Sequence, residues 1–591
     1  MEKEKLLALR HSCEHVLTMA MLRIWGNKIK AAMGPATDDG FYFDFDSEIK
    51  ISESDFEKIE KEMAKIIKED LPIIKDELSV KEARKFFDSG TYKGNEYKHE
   101  WIDEIERRGE KVSVYWMGEK GKDIPETFVD ICAGPHVEST KEIGPFKLTK
   151  LAGAYWHGDE KNKMLTRIYG VAFETKEELD EYLRLQDEIE RRDHRKIGAE
   201  QELFAFSPEI GQGLVLWLPN GNIIKEELEK WAKETEEKGG YQRVTTPIIT
   251  KEDLFFKSEH LPHYKESMYS PMDIDGENYY IKPMNCPFHH TIFKTRLRSY
   301  RELPLRLAEY GWCHRYEDSG SLFGLMRVRG MQMNDSHIYC TKEQAVDEFV
   351  SVIKLHEYYY QHLGIKDYYM ELCLRNPENK KYHGDDAMWK EAEALMREAM
   401  EKSGVPYVVQ NDGAAFYGPK VDFQLKSVTG RVFTASTNQI DLFMPKKFDL
   451  KYVDSNGQEQ YVACIHRAPL GTHERFVGFL IEHYAGIWPV WLSPMQVLLA
   501  PVATKHQAGA KALAEELRDK GIRVEIDDAD ETVGNKVRKA VGRKIPYIVI
   551  VGDKELSGED WMIRVRGEKD QVKMSKEKFV ERVMKEIKER N

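Results

Sequence analysis

The sequence predicts a multidomain α+β protein, and three observations point there. The chain runs to 591 residues, room for three or four domains that each bury a core. Its middle third alternates polar and apolar residues between glycine- and proline-marked turns, the pattern of antiparallel strands with one face toward a cavity. From Ser493 onward, short apolar runs alternate with helical patterns, which predicts a mainly parallel sheet with helices on both faces. The expected division is residues 1–173, a compact α+β unit; 174–201, a linker helix; 202–492, an antiparallel-sheet domain; and 493–591, an α/β domain.

Hydrophobic residues make up 41% of the chain and charged residues 32%, an ordinary globular balance. No apolar run reaches the ~20 residues of a membrane span, and the opening MEKEKLLALRHSC is too charged for a signal peptide. The expectation is a cytoplasmic protein without membrane contact. Seven cysteines lacking paired spacing suit a reducing compartment. A net charge of −13 argues mildly against a nucleic-acid partner. Residues 495–591, however, carry 21 Lys/Arg against 18 Asp/Glu, and a local basic track is all that RNA binding requires.

In the first unit, His11-Ser12-Cys13-Glu14-His15 sets two histidines at i and i+4 on one helix face. Cys132-Ala133-Gly134-Pro135-His136 supplies a second pair with the same spacing. The four have metal-ligand spacing; two separately packed pairs is the competing reading. Residues 173–201 read as one charged helix with a narrow apolar stripe of Leu179, Leu183 and Ile189. Its end, Arg191 to Lys196, is expected to be a solvated face rather than an RNA contact.

The third segment opens with an amphipathic helix over Ile223–Lys238 and a strand after Gly239-Gly240-Tyr241. Tyr280–Pro287 places Cys286 at the end of a short strand. An apolar strand entering at Leu305 ends near His314-Arg315-Tyr316-Glu317, a Gly/Ser/Asp loop follows, and Leu325–Arg329 reads as the returning strand. That return brings Arg315 and Glu317 close to Arg327. Guanidinium forks suit phosphate oxygens, and a carboxylate can hold an adenine amino group or order a metal; a surface hairpin with a solvated charge cluster is the alternative. Gly413–Gln424 and Arg431–Phe443 read as further strands, and Ile465–Phe476 is a glycine turn running into an apolar helix with Arg475 in its first turn. In the last segment, strands are expected at Gln496–Val502, Arg523–Asp527, Tyr547–Val551 and Trp561–Val565, between helices at His506–Lys520, Val533–Lys544 and Lys576–Arg590.

Taken in order, the stretches beginning at Gly239, Arg306 and Ile465 resemble motifs 1, 2 and 3 of class II aminoacyl-tRNA synthetases. The finer pattern M-N-C-P, M-R-V-R-G, S-H-I and I-H-R-A is similar to the threonyl-tRNA synthetase family, and the resemblance covers nearly the whole chain. It implies a class II antiparallel catalytic core, an N-terminal editing domain and a C-terminal anticodon-binding domain. It also implies a homodimer built on the motif 1 helix and strand, with tRNA(Thr), ATP and L-threonine as partners. Zinc, one per subunit, is implied on Cys286, His337 and His466 with an open fourth position, and Mg2+ with ATP. By the same resemblance Arg315 holds the α-phosphate and the threonine carboxylate, Glu317 the adenine, and Arg327 and Arg475 the outer phosphates. Gln439 belongs to the nucleotide site, Asp335 takes the threonine hydroxyl and Tyr417 its amino group. The editing pocket would be His11, His15, Lys98, Asp130, Cys132 and His136; Glu555 and Arg564 would read the anticodon. Because the chain begins at the editing unit, the small ubiquitin-like module that bacterial members carry before it is expected to be missing. Three departures stand out: Met333 where relatives carry Gln, Phe433–Gln439 in place of Q-C-G-T-x-Q, and Asp530 for Asn. The rivals are another class IIa synthetase, which needs no Cys286–His337–His466 set, and a regulatory tRNA-binding paralogue, which would not need the motif arginines.

Overall fold

The protein is described by a computed structural model covering residues 2–427, 430 and 432–590. Two compact units emerge, meeting in the chain between Asp187 and Glu188. The first is built on helix α1 (Glu2–Trp25), which buries Cys13, Val16, Leu17 and Ala20 completely. It packs on a four-stranded antiparallel sheet ordered Ile29–Ala31, Phe41–Ser47, Met164–Ala172, Phe146–Tyr155. The run Phe41-Tyr42-Phe43-Asp44-Phe45 shows why this is a strand: the phenylalanines at alternate positions are all buried, the period of a pleat. A second, three-stranded antiparallel sheet (Ile73–Leu78, Val112–Met117, Phe128–Ile131) shares its core with helix α2 (Glu96–Arg108) through Ile102.

The second unit is organised by an eight-stranded sheet. Its central strands are β1 (Leu305–His314), β2 (Gly330–Cys340), β3 (Lys420–Lys426), β4 (Val432–Asp441) and β5 (Ala463–Arg467), in the spatial order β1-β2-β5-β4-β3. The β1–β2 ladder runs without a break from Leu305↔Tyr339 to His314↔Gly330. Trp231 from helix α3 (Pro219–Lys238), with Phe476 and Leu480 from helix α5 (His473–Tyr484), belongs to the large core behind the sheet. Helix α4 (Cys286–Phe293) lies between α3 and α5 in the chain.

Several expectations need correction. The 173–201 segment is two helices, Lys176–Arg192 and His194–Glu200, because Asp193 breaks the run and caps the second through Arg195 N. Its basic end is not simply a solvated face: Arg192 donates to the Glu482 and His483 carbonyls, and His194 is buried against Glu482 at 2.7 Å. Leu325–Arg329 is no strand. Leu325 is a fully buried plug whose N–H donates to His194 Nε2, so its apolar character reflects packing and not pleating. The returning strand starts at Gly330 instead. Cys286 begins helix α4, with Pro287 in the first turn. The strand expected from Gly413 begins only at Lys420, after a tight turn closed by an Ala415–Gly418 bridge. The strand expected from Arg431 begins at Val432 among the described residues; Arg431 itself lies outside them.

The C-terminal sheet runs Val524–Ile526, Val497–Pro501, Tyr547–Val551, Trp561–Val565, Val572–Met574. Its first three strands pair parallel, as expected; Trp561–Val565 runs against them and Val572–Met574 pairs antiparallel with it, so the sheet is mixed, with one reversed strand. The links after Val551 and Val565 are too short for the dozen or more residues of a crossover. No helix among the described residues is long and apolar enough to cross a membrane.

Candidate active site

One face of the large sheet opens on a cavity of about 510 Å3, lined by Cys286, Arg315, Glu317, Arg327, Asp335, Tyr417, Gln439, His466 and Arg475. Residues more than 150 positions apart meet because β2, β4 and β5 are neighbours. Two of the arginines are tethered to backbone carbonyls through Nε, Arg315 to Pro283 at 3.3 Å and Arg475 to Met326 at 3.1 Å, and Arg475 also donates one fork nitrogen to the Thr434 carbonyl at 3.4 Å. Burial, and then the charges of Arg315 and Arg327, push the Arg475 guanidinium below its ordinary value, while Glu317 opposes them. Glu317 lies 3.5 Å from Arg327 Nε. Three converging cations with one carboxylate between them form a site short of negative charge, which a polyphosphate would supply.

At the inner end, Asp335 is buried and accepts from Asn285 Nδ2 at 3.1 Å. Gly311 on β1 makes room for that amide, since a Cβ there would meet Asn285 Oδ1 at 2.3 Å. The Tyr417 hydroxyl donates to Gln439 Oε1 at 3.2 Å, and its ring lies 5.4 Å from His466. His337 and His466 face each other across the β2–β5 ladder. One ligand-type atom from each of Cys286, His337 and His466 lies within 4.8 Å of the others. The remaining nitrogens test the fit to a cation. His466 Nε2 bonds Asp441 Oδ2 at 3.0 Å and His337 Nδ1 bonds His289 Nδ1 at 2.8 Å. His466 Nδ1 and His337 Nε2 are buried without a partner. Buried imidazole nitrogens left unbonded are costly, and burial with the neighbouring imidazoles holds His337 neutral. Two free lone pairs beside a thiol fit a borderline metal such as zinc.

Sequence reasoning missed Asp441 and His289, which orient the two histidines, and Glu309, 3.4 Å from His289 Nε2. It also missed Lys420, which lines the cavity and bonds Asp422 at 2.6 Å. Asp422 pairs across the ladder with Thr437, whose hydroxyl donates to it at 2.7 Å; alternation along Lys420–Gln424 could have indicated that face.

In the first unit, ligand-type atoms of His11, His15, Cys132 and His136 also cluster within 4.8 Å. Cys132 Sγ lies 3.3 Å from His11 Nε2 and 3.1 Å from His136 Nε2. Gly134, at φ +79, turns its N–H onto that sulfur at 3.2 Å; any side chain there would strike the Tyr115 hydroxyl. Burial holds His11 down to about 4 and pushes the Cys132 thiol up to about 12. Lys98 and Asp130 are both buried and paired at 2.5 Å, and Lys98 Nζ also donates to the Ala32 carbonyl. In the C-terminal segment, Arg564 sits on the exposed face of its strand. Glu555 belongs to the one-turn helix Asp553–Leu556, where its Oε2 accepts the Gly552 N–H at 3.0 Å.

Residues 266–484 match the family described as tRNA synthetase class II core domain (G, H, P, S and T), and residues 496–586 the Anticodon binding domain. Residues 112–169 match the Threonyl and Alanyl tRNA synthetase second additional domain. A threonine–tRNA ligase of Halalkalibacterium halodurans is 45% identical over 99% of this chain and 89% of its own length. That of Geobacillus kaustophilus is 45% identical, over 99% of this chain and 88% of its own. Among solved structures, the RNA binding domain of threonyl-tRNA synthetase from Cryptosporidium parvum Iowa II superposes with a TM-score of 0.63 at 33% identity, over 67% of this chain and 98% of that one. A cavity short of negative charge, in a chain so related from end to end, leads to one conclusion: the chain belongs to the threonine–tRNA ligase family of class II aminoacyl-tRNA synthetases.

Proposed function

We propose that the chain activates L-threonine with ATP, transfers it to the 3′ end of tRNA(Thr), and hydrolyses mischarged Ser-tRNA(Thr) in its first unit. The observation that carries the activation reading is the single cavity on which three arginines and the Cys286–His466 wall both open. Arg315 bridges the α-phosphate of ATP and the threonine carboxylate, bringing the attacking and attacked groups together. Arg327 and Arg475 hold the β- and γ-phosphates, and with Mg2+ they stabilise the charge of departing pyrophosphate. Glu317 accepts from the adenine amino group, and Gln439 completes the nucleotide wall. Asp335 accepts a hydrogen bond from the threonine hydroxyl, and Tyr417 contacts the amino group.

Zinc held by Cys286, His337 and His466 would supply a Lewis-acid position for the amino and hydroxyl groups of threonine. A site built for a hydroxyl rejects valine strongly, whereas serine lacks only a methyl, worth roughly 1–3 kcal/mol or about 10–200-fold. That margin calls for a second, hydrolytic pocket, the role given to His11, His15, Lys98, Asp130, Cys132 and His136. Glu555 and Arg564 are assigned to anticodon bases.

The chain works as a cytoplasmic homodimer. Supporting this, Ile248, Ile249, Met272 and Ile274 are 46%, 43%, 37% and 42% exposed on and beside one small sheet, an apolar patch suited to a second copy. The test is ATP–pyrophosphate exchange with threonine, serine and valine, with zinc content measured on the same sample. Exchange is expected with threonine and serine and not with valine; a valine signal comparable to serine's overturns the hydroxyl-binding account.

A further inference from the structure

Glu14 sits between His11 and His15 on α1 and is itself fully buried. Its Oε1 accepts from the Thr18 hydroxyl at 3.3 Å, while Oε2 is buried without a hydrogen-bond partner. That oxygen lies 3.8 Å from His11 Nε2 and 3.7 Å from His15 Nε2. A carboxyl group stripped of water and left with an unfilled oxygen is expensive, and such groups concentrate where chemistry needs them.

His11 shows what the need is. It bonds the Pro135 carbonyl, and a neutral ring that donates one N–H keeps its other nitrogen as a lone pair. Nε2 faces Cys132 Sγ at 3.3 Å and, slightly farther, Glu14 Oε2. When that nitrogen takes a proton, the nearest group able to meet the new positive charge from α1 is the Glu14 carboxyl. Lys98 and Asp130 are already committed, to each other at 2.5 Å and to the Ala32 carbonyl and the Ile131 N–H. Contacts that are long in a free enzyme tighten as the reacting complex forms.

We propose that Glu14 is a positioning residue for ester hydrolysis, holding the His11 and His15 rings and meeting the charge that forms when one of them takes a proton from water. Water gives its proton to His11 Nε2 as its oxygen bonds to the carbonyl carbon of the seryl ester. The tetrahedral adduct then breaks its bond to the ribose oxygen, which takes that proton back. Serine and free tRNA leave, and both side chains return to their starting state. The arrangement parallels the way a buried carboxylate orients and stabilises a catalytic imidazolium in hydrolases. Burial, and then the Asp130 charge, push the Glu14 carboxyl up toward its neutral form, and Lys98 opposes them; an imidazolium formed beside it draws it back toward the carboxylate.

This inference rests on the reading of the first unit as the serine-hydrolysing pocket, and the test keeps the two apart. The full chain and its Glu14→Gln, Glu14→Asp and His11→Ala/His15→Ala variants are compared in single-turnover hydrolysis of preformed Ser-tRNA(Thr). Glu14→Gln should lower the rate constant by about tenfold or more, with the half-saturating enzyme concentration within about twofold of the parent's. Glu14→Asp should recover part of the rate, and pyrophosphate exchange with threonine should be unchanged in both. A Glu14→Gln rate within about twofold of the parent's overturns the role of Glu14, as does equal loss in the Gln and Asp variants. Parent-like hydrolysis by the double histidine variant overturns the hydrolytic reading of the pocket itself.

Discussion

Asp441 is fully buried at the end of β4, and both of its oxygens are committed. Oδ1 accepts the N–H groups of Phe443 and Met444, each at 2.8 Å, and Oδ2 accepts from His466 Nε2. The carboxylate therefore fixes which nitrogen of His466 points at Cys286. Partners of this kind orient a ligand and raise its basicity, and losing one costs about 10–100-fold in metal affinity. Asp441→Asn should release zinc to a chelator faster by a factor in that range; Cys286→Ala should lose the metal and threonine activation together. Unchanged release from the Asn variant would separate Asp441 from the metal site. The ligand candidates were legible in the sequence because each sits in its own motif. Asp441 and His289 were not, because their roles depend on which strands are neighbours: Gln439 pairs with His466, and nothing in a linear pattern states that register.

At the scale of elements, α5 shows how burial writes a pH dependence into a helix terminus. Glu474, fully buried in its first turn beside Arg475, accepts the Gln332 N–H at 3.0 Å and keeps Oε1 without a partner. Burial raises its carboxyl to about 7. A raised carboxyl favours the folded chain fully below its ordinary pKa of about 4.3, and that contribution is lost as pH rises through about 7. The loss is on the order of 3 kcal/mol. Glu474→Gln should melt close to the parent at pH 5 and progressively higher as pH is raised to 8; parallel melting curves across that range would remove Glu474 as the source.

The C-terminal sheet yields a second expectation at this scale. Alternation along Trp561–Val565 buries Trp561, Ile563 and Val565 and turns Arg564 outward, free to pair bidentately with a base edge. Arg564→Ala should weaken charging of tRNA(Thr) while leaving pyrophosphate exchange intact, and loss of both would indicate a folding defect instead. Long periodic elements such as α3 and β1 were readable. Leu325–Arg329 was not, because a short apolar run looks alike whether it pleats or plugs a core. The reversal at Trp561–Val565 was not foreseen because connection length, and not strand pattern, decides direction, and Val572–Met574 was not read as a strand.

For the molecule as a whole, each of the two units carries its own core and its own candidate site. The H-x-x-x-H run on α1 and the Cys132–His136 turn both belong to the unit ending at Asp187, whereas the arginine cavity lies wholly in the unit beginning at Glu188. The sequence pattern changes from α+β to a charged helix near residue 173, whereas the break between the two units falls inside that helix, Lys176–Arg192. Each core buries its own apolar set, so damage confined to the first should leave the second folded and active. Removing both imidazoles from α1 takes away the lone pairs that can deprotonate water but leaves its packing residues Val16, Leu17 and Ala20 in place. His11→Ala/His15→Ala should therefore charge tRNA(Thr) with threonine at the parent rate. When serine is the only amino acid supplied, Ser-tRNA(Thr) should accumulate, because activation tolerates serine and nothing then removes it. The measurement is a charging time course with each amino acid: a serine plateau well above the parent's, beside an unchanged threonine plateau, is the expected result. A fall in threonine charging would show that the two cores are not independent.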